Sequence, residues 1–84
     1  MDAKTIIKEI ENEIMLLHNA DYRKQQNVWA EDKQLKNIQR LLKRINIKQK
    51  TTVADFCRVM YDSASTTSKI AKLSECLFDL TRGR

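Results

Sequence analysis

Proline is absent from this chain of 84 residues, and glycine occurs once, at Gly83. Tight hairpin turns have little else to build on, so a sheet assembled from short hairpins is excluded. The same scarcity removes any glycine-rich phosphate loop. His18 is the single histidine, which rules out a histidine pair or a two-histidine metal site within one chain. The Glu-x-x-His motif of di-iron bundles also fails, since Met15 stands where its glutamate would be. Cys57 and Cys76 lack the second pair that zinc spacing requires. Glu9 and Glu13 share a helical face and read as solvated carboxylates. The expectation is a protein that is not an enzyme and takes no cofactor and no metal.

Long apolar runs are missing as well. The longest, Ile14–Leu17, falls far short of the roughly 20 residues that span a bilayer. Asp2, Lys4, Lys8 and Glu9 occupy the region where a secretory signal would be apolar. A cytoplasmic protein with no membrane partner is expected. Cys57 and Cys76, each on the apolar face of a helix, then read as buried free thiols in a reducing compartment. The small size and the charge suit a phage or plasmid product.

What remains is helix-forming: Lys, Glu, Leu, Ile, Ala and Gln are plentiful. A hydrophobic content of 42% is enough for a core, so the chain is not read as disordered. The expected fold is all-α, a small bundle of three or four helices forming one domain over residues 1–84. A domain this small gains from self-association, and a homodimer paired as a coiled coil is expected. The helices are placed at about 3–18, 28–46, 53–61 and 67–81.

In the first helix, Asp2 is the cap, and Ala3, Ile7, Ile10, Ile14 and Leu17 form a heptad seam. That seam keeps its phase through residues 19–29 into Val28, Leu35, Ile38, Leu42 and Ile45. Two arrangements compete there. One is a hairpin turn, with Asn19 as a left-handed C-terminal cap and Asn27 as the N-cap of the next helix. The other is one bent helix over about residues 3–46, spanning ~65 Å and needing a dimer to cover it. Trp29, the only tryptophan, is expected to pack over the helix junction, with base stacking or partner anchoring as the alternative.

The segment after Ile47 reads as a connection ending in a capping pair, Thr52 and Asp55. Val53, Phe56, Cys57, Val59 and Met60 would be buried on the third helix. Ile70, Leu73, Leu77 and Leu80 would form the stripe of the fourth, with a cap among Ser65, Thr66 and Thr67, and Gly83 as its stop. This helix pair has the arrangement of a DNA-reading helix corner, with Ser65, Thr66, Thr67, Ser68, Lys69 and Lys72 at the start of its second member. Its turn lacks the usual glycine, and a plain helical corner is the better reading.

The strongest signal lies between Glu31 and Lys50. On a helical projection Leu35, Ile38, Leu41, Leu42 and Ile45 fall within an arc of about 120°. Lys33, Lys36, Arg40, Lys43 and Arg44 fall opposite, and Lys48 and Lys50 extend them. Residues 33–50 carry these seven cations and no acid, while the rest of the chain holds nine bases against eleven acids. The net charge of +5 is therefore a local stripe. Such a stripe suits nucleic acid, DNA above all, with these seven residues as the contacts. The competing reading is a protein–protein module, an adaptor or an inhibitor of a host protein, that binds an acidic or helical partner.

Overall fold

The computed structural model describes residues 2–63 and 68–82. Five helices follow one another: α1 (Ala3–Leu17), α2 (Ala20–Gln25), α3 (Asp32–Arg44), α4 (Lys50–Asp62) and α5 (Ser68–Thr81). There is no strand among the described residues, and the fold is an all-α bundle. The four longer helices close a ring of contacts: α1 packs on α5, α5 on α4, α4 on α3, and α3 on α1. Helix α2 packs on α1 and reaches the start of α3 through an ion pair between Arg23 and Asp32.

Each long helix buries one stripe at helical spacing. These are Ile6, Ile10, Ile14 and Leu17 on α1; Leu35, Ile38 and Leu42 on α3; Val53, Phe56, Cys57 and Met60 on α4; and Ile70, Leu73 and Leu77 on α5. Together with Ala30 they form one continuous core. Complete burial of each large side chain contributes about 1.5–3 kcal/mol. Of the heptad seam of α1, Ile10, Ile14 and Leu17 are thereby used within the chain, and Ala3 and Ile7 are partly buried against the same core.

The continuous helix over residues 3–46 does not form. The molecule's longest dimension is 38 Å, against the ~65 Å that helix needs. The chain breaks at Asn19, whose extended backbone lets its side chain accept from the amides of Asp21 and Tyr22 at 2.9 and 3.3 Å. Asn19 thus starts a short fifth helix inside the expected turn. Asn27 ends that helix: its φ is 54°, and the amides of Asn27 and Val28 donate to the carbonyls of Lys24 and Arg23 at 3.2 and 3.0 Å. That pair of bonds is a Schellman motif with asparagine at the left-handed position. The two asparagines therefore play the reverse of their expected roles.

Three other boundaries and faces shift. Helix α3 begins at Asp32, four residues later than expected, because the Schellman turn occupies residues 27–28. Helix α4 begins at Lys50, so Thr52 lies within its first turn and donates to Gln49 Oε1 at 3.2 Å. The connection before it turns at Asn46, whose side chain accepts from the Lys48 amide at 3.1 Å and whose carbonyl accepts from Gln49 at 2.8 Å. On α5, Leu80 is exposed and Thr81 is buried in its place, with its hydroxyl donating to the Leu77 carbonyl at 3.0 Å. The expected caps at Ser65, Thr66 and Thr67, and the stop at Gly83, lie outside the described residues.

Candidate nucleic-acid interface

Helix α3 carries the stripe. Its sequence DKQLKNIQRLLKR is rich in good helix formers and begins after Glu31, whose extended backbone provides the N-cap position. Asp32 sits in the first turn and Lys43 and Arg44 in the last, as the helix dipole favours. Within the stripe, Lys33–Lys36, Lys36–Arg40, Arg40–Lys43 and Arg40–Arg44 are like-charged neighbours three or four residues apart. Each such pair costs about 0.2–0.5 kcal/mol at low salt. Burial of Leu35, Ile38 and Leu42 outweighs that several-fold, so the charged face persists because the opposite face is packed.

All seven cations, Lys33, Lys36, Arg40, Lys43, Arg44, Lys48 and Lys50, are exposed. They divide between elements: five on α3, Lys48 in the Asn46 turn, and Lys50 at the first position of α4. Lys50 thus stands at the positive end of the α4 dipole, where a cation is disfavoured, and adds to the uncompensated charge.

The ion pairs of the described residues lie elsewhere. They join Arg23 to Asp32 (3.6 Å), Arg58 to Asp55 (3.4 Å), Lys69 to Glu13 (3.0 Å) and Arg82 to Asp79 (3.6 Å). The topology explains this separation. Helix α5, with Glu75 and Asp79, packs on α1 and α4, and among the described residues none of its Cα atoms lies within 8 Å of one in α3. Helix α1 does touch α3, but its Glu13 points toward α5 and α2. Glu11 is the α1 carboxylate that comes near, lining a small groove with Ile14, Met15, Gln39, Leu42 and Lys43.

Glu13 departs from its expected solvated state. It is only 5% exposed, accepts from the Tyr22 hydroxyl at 2.9 Å, and pairs with Lys69 at 3.0 Å. The Glu13 bond raises the titration of Tyr22 and of Lys69 above their ordinary values. Lys69 is therefore committed to α1, which removes it from the set of free cations at the start of α5.

Two further expectations are corrected. Trp29 does not pack over the junction; it is 60% exposed, while its neighbours Val28 and Ala30 face the core. Arg23 holds that segment by donating to the Ala30 carbonyl at 2.8 Å. Cys76 is exposed, whereas Cys57 is buried, and both are free. Burial, with smaller contributions from Asp79 and Glu75, pushes the Cys57 thiol up to about 11.

A groove of about 560 Å³ lies between α4 and α5. Ala54, Cys57, Arg58 and Tyr61 line one side, and Glu75, Phe78, Asp79 and Arg82 the other. Each set is spaced as one helical face. The Tyr61 hydroxyl donates to Glu75 at 2.6 Å across one end, which pushes Tyr61 up to about 12. The Arg82 guanidinium lies 5.3 Å from the centre of the Phe78 ring. No group of three or more His, Cys, Asp or Glu side chains placed to hold a metal occurs among the described residues. No helix among them is long and apolar enough to cross a membrane.

No protein-family model matches the chain, no curated protein matches it in sequence, and no solved structure matches it in fold.

Proposed function

We propose that this is a non-enzymatic regulatory protein that binds nucleic acid through the basic face of α3. The observation that carries the reading is the exposure of seven cations over residues 33–50, with every ion pair of the described residues formed by other side chains. Lys33, Lys36, Arg40, Lys43 and Arg44 supply the contacts along the helix, and Lys48 and Lys50 extend them. DNA is the first polymer to try, because a cationic helix fits both the phosphate backbone and the major groove. The deciding test is the triple variant Lys36→Glu, Arg40→Glu, Lys43→Glu. Its helicity should match the wild type while its gel-shift with DNA and RNA disappears at about 100 mM salt, a range where phosphate contacts dominate affinity. Undiminished binding by that variant overturns the reading.

A second reading rests on the α4–α5 groove, whose two lining ridges have the spacing that receives a helix. In that case the protein is an adaptor or an inhibitor of a host protein. Absence of any nucleic-acid shift, together with a stable complex in a pull-down that Ala54→Arg disrupts, favours this alternative. Cytoplasmic residence fits both.

A further inference from the structure

Trp29 is the only tryptophan, and it stands 60% exposed immediately ahead of the basic helix. A lone exposed apolar residue is ordinary on a protein surface. Trp29 differs in how firmly its backbone is held. On one side Val28 packs against the core and its amide donates to the Arg23 carbonyl at 3.0 Å. On the other, Ala30 is buried and its carbonyl accepts from Arg23 Nη1 at 2.8 Å. Arg23 itself is steadied by Asp32, 3.6 Å away. The indole is thus presented to solvent from a fixed segment between two packed residues.

Its distance from the stripe is bounded by the chain. Trp29 precedes Lys33 by four residues, so their Cα atoms are separated by at most about 14 Å. Lys24 is exposed in the last turn of α2, five residues ahead of Trp29. Glu31 and Asp32 intervene, but Asp32 is paired with Arg23. A flat aromatic beside a row of cations is the combination by which proteins hold unpaired bases: cations track the phosphates and the ring stacks on a base. Intact duplex offers no free base face, and exposing one means unstacking a step at a free-energy cost. A single strand offers its bases without that cost.

Building on the proposed function, we infer that the preferred ligand of the α3 face is single-stranded nucleic acid, with Trp29 stacking on one of its bases. The sole indole is its own reporter. The wild-type protein is titrated with an oligothymidylate of about 15 nucleotides, within the site size of single-strand binders, and with a duplex of equal length. Indole emission and the anisotropy of a labelled strand are read together. The single strand should bind more tightly than the duplex and quench the emission. Trp29→Ala should lose roughly 5- to 100-fold in single-strand affinity with duplex affinity and helicity unchanged, and Trp29→Phe should retain part of the loss. Unquenched emission at saturation, or wild-type single-strand affinity in Trp29→Ala, overturns the inference. The proposed function survives that outcome if the triple α3 variant still abolishes binding. Absence of binding to either oligonucleotide by the wild type overturns both.

Discussion

The Tyr22 hydroxyl donates to Glu13 Oε2 at 2.9 Å, and this bond joins α2 to the middle of α1. The other oxygen of Glu13 meets Lys69 at 3.0 Å, so a single buried carboxylate ties together α1, α2 and α5. The result explains two features at once. It keeps a short helix with no buried residue of its own attached to the bundle, and it takes one of the three acids of α1, Glu13, away from the cations of α3.

Tyr22→Phe should destabilise the protein by about 1.5–3 kcal/mol, the value of a hydrogen bond to a charged group. Lys69→Met should cost less, because Lys69 is itself largely in solvent, where ion pairs are weak. The double variant should cost more than the sum of the two, since Glu13 would then be buried without a partner. Urea unfolding of the four proteins reads the coupling. Strict additivity would show that the network is not cooperative.

The same cluster contributes to an alkaline limit, alongside Cys57 and Tyr61, which are also raised. Lys69 and Tyr22 titrate above their ordinary values of 10.5 and 10.0 because of the Glu13 bond. A group raised in the folded state contributes stability that is complete below its unfolded value and is lost as pH rises through its folded value. Stability should therefore hold through neutral pH and fall above about pH 10. Tyr22→Phe should flatten that fall when unfolding is followed between pH 9 and 12, a range that brackets the reference values of lysine and tyrosine. An unchanged slope in the variant would remove Tyr22 from the account.

Asn19 and Asn27 offer a direct test of the reversed caps. At an N-cap, serine replaces asparagine at almost no cost. At a left-handed position it costs up to about 1 kcal/mol: Cβ crowds the following carbonyl in both residues, and the asparagine amide offsets that crowding through local polar interactions better than the serine hydroxyl does. Asn19→Ser should therefore leave the urea midpoint nearly unchanged, while Asn27→Ser, at φ 54°, should lower it. Asn27→Gly should stay close to wild type. The opposite ranking of the two serine variants would restore the cap roles read from the sequence.

The fold class and the core were legible because they rest on periodicity, and Ile10, Ile14, Leu17, Leu35, Ile38 and Leu42 are buried where the spacing put them. The basic stripe was legible for the same reason, as the complement of the apolar arc on α3. The asparagine roles were not, since an N-cap and a left-handed C-terminal position use the same residue and differ only in backbone angle. Nor was the burial of Glu13. Its partner Lys69 lies 56 positions away in sequence, and only the closure of α5 on α1 brings the two together. Trp29 was misplaced because its size suggests burial, while the small Ala30 beside it is what the Schellman turn delivers to the core.

The two thiols should be chemically distinct. Cys57 donates to the Ser74 carbonyl at 3.2 Å and is buried, with its thiol held up to about 11. Cys76 is exposed on α5. An aromatic disulfide reagent at neutral pH should label one thiol quickly, and Cys76→Ser should abolish that phase. The second thiol should react only on unfolding or as pH rises toward 11, since the thiolate is the nucleophile. Two fast-reacting thiols in the native protein would contradict the packing of α4 on α5.

Salt dependence separates the charged stripe from general stickiness. Five engaged phosphates give a slope of log K against log salt of roughly −4.5 on duplex and −3.5 on a single strand. The single-strand value follows if Lys33, Lys36, Arg40, Lys43 and Arg44 act together. Neutralising any one of them, as in Lys36→Gln, should reduce the slope by about 0.7 on a single strand. Neutralising Lys48 or Lys50 shows whether the strand continues past the end of α3: a similar decrement places the contact on the Asn46 turn and the start of α4, and an unchanged slope confines it to the helix. Trp29→Ala should weaken binding at every salt concentration without altering the slope, because stacking releases no counterions. A slope that changes with the indole, or one that ignores the lysines, would show that the stripe does not track phosphates at all.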